Sequence, residues 1–200
     1  MPKISEERLA ARREQVLQAA WSCFARNGFH ATTMADVIAE SEMSAGGVYR
    51  YFRSKEEIVT AIADRAYGTL TTALQDLLAD PDVTDVADVV GRLLRTVEEF
   101  ADGESFDRTR IVLLAWAESL RSAEIGAKAR SIQLALRELL VQVVARAQAA
   151  GQMRADADPA AVAPVIASVL IGYVVQRLVV GGMDPAFYTA GVQGLVGAHR

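Results

Sequence analysis

The sequence predicts an all-α protein. A small N-terminal helix-turn-helix head is joined by a fourth helix to a larger helical body. Three observations predict it. Helical periodicity covers almost all of the 200 residues, with no strong alternating pattern of the kind a strand needs. Alanine, leucine and valine supply most of the 52% hydrophobic content and aromatics are only 6%, which favours helices over a β-sandwich. Short capped segments at the front give way, after Asp80-Pro81, to longer and more aliphatic ones.

The first helix is expected over residues 6–26, with Leu9, Val16, Ala20 and Phe24 near one face and Asn27-Gly28 ending it. A short second helix covers residues 33–40, where Thr33 and Asp36 have the spacing of a capping box. After a turn at residues 41–43, Ser44 is a good N-cap for a third helix reaching about Tyr51. The fourth starts at Ser54, with Glu57 three residues on, and carries Ile58, Ile62, Tyr67, Leu70, Leu74 and Leu77 as far as Asp80. Five more helices are expected over residues 85–102, 107–121, 122–150, 158–180 and 185–198. Asp158-Pro159 reads as an N-cap followed by an N1 proline, whereas Pro164 should kink that helix or delay its start. The organisation is therefore a head at residues 1–53 and a body at 54–200.

Charge is unevenly spread. The net charge is −4, yet up to Lys55 eight Lys and Arg stand against six Asp and Glu, leaving the rest of the chain acidic. A basic front on an acidic body hints at nucleic acid. The one cysteine, Cys23, excludes an internal disulfide framework and any multi-cysteine metal site, and its helical setting suggests a core thiol. The opening MPKISEERLAARREQ is charged throughout, unlike a secretory signal. The uncharged run at residues 160–176 falls short of a bilayer span and contains Pro164, so a buried or interfacial helix in a cytoplasmic protein is expected, with no membrane partner.

Catalysis has no foothold. His30 and His199 are far apart in sequence, there is no phosphate loop, no dinucleotide-binding glycine pattern and no His-Glu-x-x-His. Glu98-Glu99 and the acidic residues at 80–85 read as caps or solvated faces, the latter lacking the glycine and distal glutamate of a calcium loop. No enzyme activity, metal or cofactor is expected.

The informative stretch is SAGGVYRYFRSKEE, Ser44 to Glu57. Two adjacent glycines in a helix cost roughly 1 kcal/mol each against alanine. A close approach by another molecule's backbone would offset that. In a helix-turn-helix the second helix enters the major groove with its N-terminal residues at the base edges. Small residues at Ala45, Gly46 and Gly47 would let the backbone come close. Around them Thr33, Ser44, Tyr49, Tyr51, Arg50, Arg53 and Lys55 offer hydroxyls, charge and helix N-termini to phosphates. Val48 and Phe52, four apart, should point into the core; Tyr51 is ambiguous by periodicity.

Residues 12–58 resemble the DNA-binding domain of the TetR (tetracycline-repressor-like) family of transcriptional regulators. The resemblance rests on Phe24 and Gly28, the pair Thr32-Thr33, Ile38-Ala39, the run from Ser44 through Phe52, and Ser54-Lys55-Glu56, all in order without a gap. It implies phosphate contacts from Thr33, Tyr49, Tyr51 and Lys55, and groove-facing roles for Ala45, Gly46 and Arg50. Two positions depart from the family pattern. The turn has Glu42-Met43 where a glycine is usual, and Gly47 stands where a larger residue is common, so base readout would rest heavily on Arg50.

For the body, the resemblance implies a homodimer built by the last two helices and a pocket for an unidentified small molecule. Ala167, Ser168 and Gly172 are candidates for close contact at the dimer interface. Tyr67, Phe100, Phe106, Trp116, Glu118, Tyr173, Gln176 and Arg177 are candidates for the pocket lining. The implied function is a dimeric repressor released from a near-palindromic double-stranded DNA operator by its ligand. The alternative, a helical small-molecule carrier whose head has lost DNA binding, is disfavoured by the presence of Thr33, Tyr49, Arg50 and Lys55 together.

Overall fold

The computed structural model describes residues 6–102 and 107–196; candidate Phe106 and residue His199 lie outside them. The described residues form helices only, in the order α1 (Glu6–Ala31), α2 (Met34–Glu40), α3 (Ala45–Tyr49), α4 (Lys55–Ala79), α5 (Val86–Ala101), α6 (Thr109–Ser119), α7 (Ala123–Ala149), α8 (Pro159–Val179) and α9 (Pro185–Val196). The all-α expectation holds, and the boundaries fall within a few residues of those read from the pattern.

The chain divides into two compact units, one of Met1–Arg65 with Asp102–Ala129 and one of Ala66–Ala101 with Arg130–Arg200. The division falls inside α4 and inside α7.

In the first unit, α1 packs against α2 and α6, and α2 against α3. Its core includes Val16, Ala20, Trp21 and Phe24 of α1, Val37, Val48, Phe52 and Ile58. The apolar face of α1 is thus the predicted one, and Val48 and Phe52 point inward as their spacing required. Gly28 interrupts α1 with φ 75° and ψ 169°, and one more helical turn follows to Ala31. The expected C-cap glycine is therefore a break inside the element. Cys23 is buried, and burial pushes its thiol up from the ordinary range. Glu14 is pushed up by burial, but hydrogen bonds from Gln18 and Arg65 and the charges of Arg65 and Arg13 outweigh that, and its carboxyl ends below the usual range.

In the second unit, α5 packs against α8 and α9. Buried Val86, Val90, Leu93, Leu94 and Val97 form the core-facing stripe of α5. The contact with α9 is close: a Cβ placed on Gly91 would come within 2.6 Å of Thr189 Oγ1. Asp158 caps α8 by accepting from Ala160 N at 2.9 Å, with Pro159 behind it, as predicted. Pro164 neither delays the start of α8 nor ends it. Its missing N–H frees the carbonyl four residues back. That carbonyl, Ala160 O, accepts from Arg137 Nη2 at 2.7 Å, so α7 replaces the lost bond. At the end of α4, Arg146 donates to Asp80 O at 2.7 Å and to Leu78 O, satisfying carbonyls that a helix terminus leaves open.

α8 is the one described helix long and apolar enough to cross a bilayer by length and composition. Only 28% of its most apolar window is buried. Ala163, Ile166, Leu170, Tyr173 and Val174 face the unit's core, while Val165, Val175 and Val179 stay exposed.

Candidate nucleic-acid interface

The turn between α2 and α3 is built from local hydrogen bonds. Thr33 and Asp36 form a complete capping box. Thr33 Oγ1 accepts from Asp36 N at 3.2 Å, and Asp36 Oδ2 accepts from Thr33 N at 2.8 Å. The bonds from Thr33 hold the Asp36 carboxyl below its usual range. At the other end of α2, Ser41 Oγ donates to Ile38 O at 2.9 Å and Ser41 O accepts from Gln15 Nε2 at 2.8 Å, anchoring the turn to α1. Arg26 adds an ion pair to Glu40 at 2.6 Å. Glu42 carries the chain through the turn at φ 54°, a left-handed conformation that favours glycine. The departure seen in the sequence thus falls at a position whose backbone suits the usual residue better.

Ser44 caps α3, its Oγ accepting from Gly47 N at 3.2 Å. The hydroxyl retains its own proton for an outside acceptor. The two glycines of α3 then separate. A Cβ on Gly47 would meet Ser44 Oγ at 3.2 Å and Met43 Cε at 3.3 Å, so a larger residue there would have to displace those side chains by a few tenths of an ångström. A Cβ on Gly46 would meet nothing within 4 Å, and the residue is exposed. The helical cost of Gly46 has no counterpart within the chain.

Ala45, Tyr49 and Arg50 are exposed on the same short helix and its cap, and Tyr51 is half-buried. Thr33 is exposed too, but its hydroxyl donates to Asp36 Oδ2 at 2.7 Å. Lys55, at the start of α4, is half-buried. Its ammonium donates to Phe29 O at 2.7 Å and Thr32 O at 2.9 Å, and lies 4.2 Å from the centre of the Phe29 ring. Two of the expected phosphate donors are therefore already engaged. Thr33 would have to turn its hydroxyl outward, and Lys55 has its third N–H to offer. Ser54 caps α4 by accepting from Glu57 N at 3.2 Å, but Glu57 closes on Arg53 N at 2.6 Å, one residue earlier than a standard box.

Sequence reasoning missed Arg13. Its guanidinium sits 4.9 Å from the centre of the Phe52 ring, bracing the end of the motif from α1. No local pattern links positions 39 apart, so nothing in the sequence signalled it.

The pocket candidates separate by unit. In the second unit, Tyr173 is fully buried and donates to Glu98, which lies 3.3 Å from Arg177 Nε. Burial first, and then the bond to Glu98, raise the Tyr173 phenol well above the ordinary tyrosine range. Its ring packs edge-on against Tyr188 at 5.2 Å between centres, and Gln176 Nε2 donates to Tyr188 Oη at 3.2 Å. Tyr173, Gln176 and Arg177 thus meet in one polar cluster on α5, α8 and α9. Glu98, read from sequence as a solvated face or cap, is a central member. Tyr67 is buried elsewhere in the unit and accepts from Gln133 Nε2 at 3.1 Å. Phe100 and, in the first unit, Trp116 are half-buried. A separate cleft of about 670 Å³, lined by Asp85, Met153, Arg154, Val162 and Leu195 among others, contains none of the candidates. Among the described residues no group of three or more His, Cys, Asp or Glu is placed to hold a metal.

Of the proposed dimer contacts, Ala167 and Gly172 are half-buried and Ser168 is exposed, its hydroxyl donating to Pro164 O at 2.8 Å. Around them on α8 and α9, Val165, Val179, Phe187 and Leu195 are 62%, 78%, 72% and 81% exposed. No residue of α9 is buried.

An all-helical chain whose short, exposed, glycine-bearing helix follows a capped turn has the architecture of a helix-turn-helix regulator. Comparison with known proteins identifies which. Residues 16–62 match the model of the bacterial regulatory proteins of the tetR family, and residues 89–198 match that of the BetI-type transcriptional repressor C-terminal region. The chain is 34% identical over 139 residues to the HTH-type transcriptional repressor Rv1474c of Mycobacterium tuberculosis (strain ATCC 25618 / H37Rv), covering 64% of this chain and 67% of that one. It is 21% identical over 189 residues to the HTH-type transcriptional regulator UidR of Escherichia coli (strain K12), covering 92% and 91%. In three dimensions it is similar to Salmonella enterica GusR, with a TM-score of 0.78 at 24% identity over 98% of this chain and 100% of that one. A complex of SmeT with triclosan gives a TM-score of 0.74 at 23% identity over 92% and 91%. The chain belongs to the TetR family of bacterial transcriptional regulators, a family of DNA-binding proteins rather than enzymes.

Proposed function

We propose that this regulator is a homodimeric repressor. Its two heads occupy half-sites of a near-palindromic operator, and a small-molecule effector bound in the body releases it. A cytoplasmic location fits that role. DNA binding is assigned to residues 1–53, and dimerisation and effector binding to residues 54–200. One observation carries the DNA-binding part: Gly46 has open space beside it and no internal reason to be glycine. It lies between Ser44 and Ala45 on one side and exposed Tyr49 and Arg50 on the other. A phosphate backbone or groove wall is what such a gap accommodates.

In this reading Thr33, Ser44, Tyr49, Tyr51 and Lys55 hold phosphates, while Ala45, Gly46 and Arg50 face the bases. Phosphate contacts position the protein and base contacts specify the site. Tyr49→Phe should therefore weaken binding to all sequences alike, and Arg50→Ala should flatten the preference among them. A uniform loss from Arg50→Ala would sink this division of roles.

The exposed apolar residues of α8 and α9 support dimerisation through these helices, around Ala167, Ser168 and Gly172. A dimer would set its recognition helices about 34–36 Å apart, or a multiple of that, to match successive major grooves. An effector that binds better to a differently spaced state would draw the population off DNA. The cluster of Tyr173, Gln176, Arg177 and Glu98 supports a polar element in the effector site.

The test is a titration of the purified protein against the DNA flanking its own gene at two salt concentrations. Tight binding that weakens steeply with salt is expected, because phosphate contacts release counterions. Binding to all DNA that is weak and equal would remove the repressor reading.

A further inference from the structure

We propose a second small-molecule site, within the first unit: the cleft between the end of α1 and α6 takes a small apolar organic cation whose ammonium pairs with Glu118. The cleft measures about 340 Å³, inside the range in which proteins bind small molecules. Phe29, Leu114 and Ala117 form its apolar walls, and Leu114 is 39% exposed although nothing polar recommends it to water.

Into this cleft α6 delivers one carboxylate. The Glu118 side chain is only 15% exposed. Its Oε2 faces His30 Nε2 at 3.4 Å, long for a hydrogen bond, and the His30 side chain is 70% exposed. A carboxylate that has lost most of its water and has such a distant, wet partner is incompletely satisfied. An ammonium group with N–H donors, carried on a hydrocarbon frame that fills the walls, would satisfy the charge and the apolar surface together.

Arg121 is the other charged residue on the cleft. It is exposed, so water screens its charge, while Glu118 is enclosed. That asymmetry selects a cation over an anion.

The site borders the DNA-binding motif through the backbone. The cleft includes Gly28, at φ 75°, and Phe29, whose carbonyl and ring both hold Lys55. An occupant that shifts Phe29 would disturb Lys55 and the chain leading into Thr33. This regulatory consequence rests on the repressor reading; the binding itself does not.

The test uses the full chain without DNA. Benzylamine, protonated near neutral pH, and phenylacetate are titrated separately while backbone amide resonances are followed. Benzylamine should give saturable shifts centred on residues 27–31 and 114–121, with smaller ones at Thr33 and Lys55 through Phe29. Glu118→Gln should weaken it at least roughly tenfold, as expected for removing one charge-assisted pair. Ala117→Leu, which fills the cleft from an exposed position and keeps the carboxylate, should abolish it. Shifts centred on Tyr173 and Arg177, unchanged affinity in Glu118→Gln, or binding by phenylacetate in place of benzylamine would each overturn the proposal. A failed operator titration with these shifts intact would count against the repressor reading alone.

Discussion

The motif at residues 33–55 and the polar cluster on α5, α8 and α9 use polar residues in opposite ways. In the motif most partners are three residues apart: Thr33 with Asp36, Ser44 with Gly47, Ser54 with Glu57. These bonds satisfy the helix ends locally and leave exposed Tyr49 and Arg50 for something outside the chain. In the cluster the partners are distant in sequence, and Tyr173 at its centre is buried. Tyr173 donates to Glu98 across 75 positions, and Arg177 approaches the same carboxylate. Tyr173 and Glu98 satisfy each other, and the charge of Arg177 beside the same carboxylate adds to the tie between α5 and α8. Local satisfaction leaves side chains free for an outside partner, whereas long-range satisfaction ties the candidate effector-facing cluster to the fold as well. Lys55 is the exception that joins the two modes, since it sits in the motif yet bonds to carbonyls 23 and 26 residues away.

The comparison breaks most readily where the second unit is tightest. Gly91→Val should lower stability by about 3 kcal/mol in urea unfolding, because its side chain would collide with Thr189. Adding Thr189→Ala should recover a large part of that loss, since it removes the nearest atoms.

Next in size, Glu98→Leu should cost about 2 kcal/mol, since it takes the carboxylate from Tyr173 and Arg177 while the site stays partly open to water. The same cluster sets a pH dependence. Tyr173 keeps its proton in the folded state at pH values where the unfolded chain has lost it. Its contribution is complete below pH 10, the ordinary tyrosine value, and falls as pH rises beyond it. Tyr173→Phe should make the loss of stability on the alkaline side shallower.

Lys55→Met tests the exception. It should lower stability by about 1–2 kcal/mol and weaken DNA binding as well, whereas Tyr49→Phe should weaken DNA binding with the unfolding midpoint unchanged. If Lys55→Met affected DNA binding alone, its bonds to Phe29 and Thr32 would carry no weight in the fold. The smallest effect is a gain. Glu42→Gly should raise stability by about 0.5–1 kcal/mol by relieving the left-handed backbone at φ 54°, seen as a higher urea midpoint with an unchanged slope.

Much of the motif was legible because its determinants are near in sequence. Caps at Thr33, Ser44 and Asp158 depend on spacings of two or three residues. The inward turn of Val48 and Phe52 follows from helical periodicity alone. Gly28 was readable as a terminator, but not as a break after which helix resumes, because the following turn is held by Thr32 Oγ1 on Gly28 O at 2.8 Å and by Lys55 from α4. The sequence marks Gly47 as a departure from the family pattern and Gly46 as groove-facing, but not what surrounds either one. Only the positions of Met43 and Ser44 in space separate Gly47, where a Cβ would crowd both side chains, from Gly46, where it would meet nothing.

The sequence by itself determined the helical class, the order and approximate ends of the helices, the capped turn and the exposure of Tyr49 and Arg50. Each of these depends on interactions between residues a few positions apart, whose geometry a helix fixes in advance. Only the tertiary structure decided that Pro164 is held within α8 with Arg137 on the freed carbonyl, that Glu98 belongs with Tyr173 and Arg177, and that Glu118 lies enclosed beside His30. Those pairings join residues 23 to 88 positions apart, and nothing in a helical repeat specifies which face of one helix will meet which face of another.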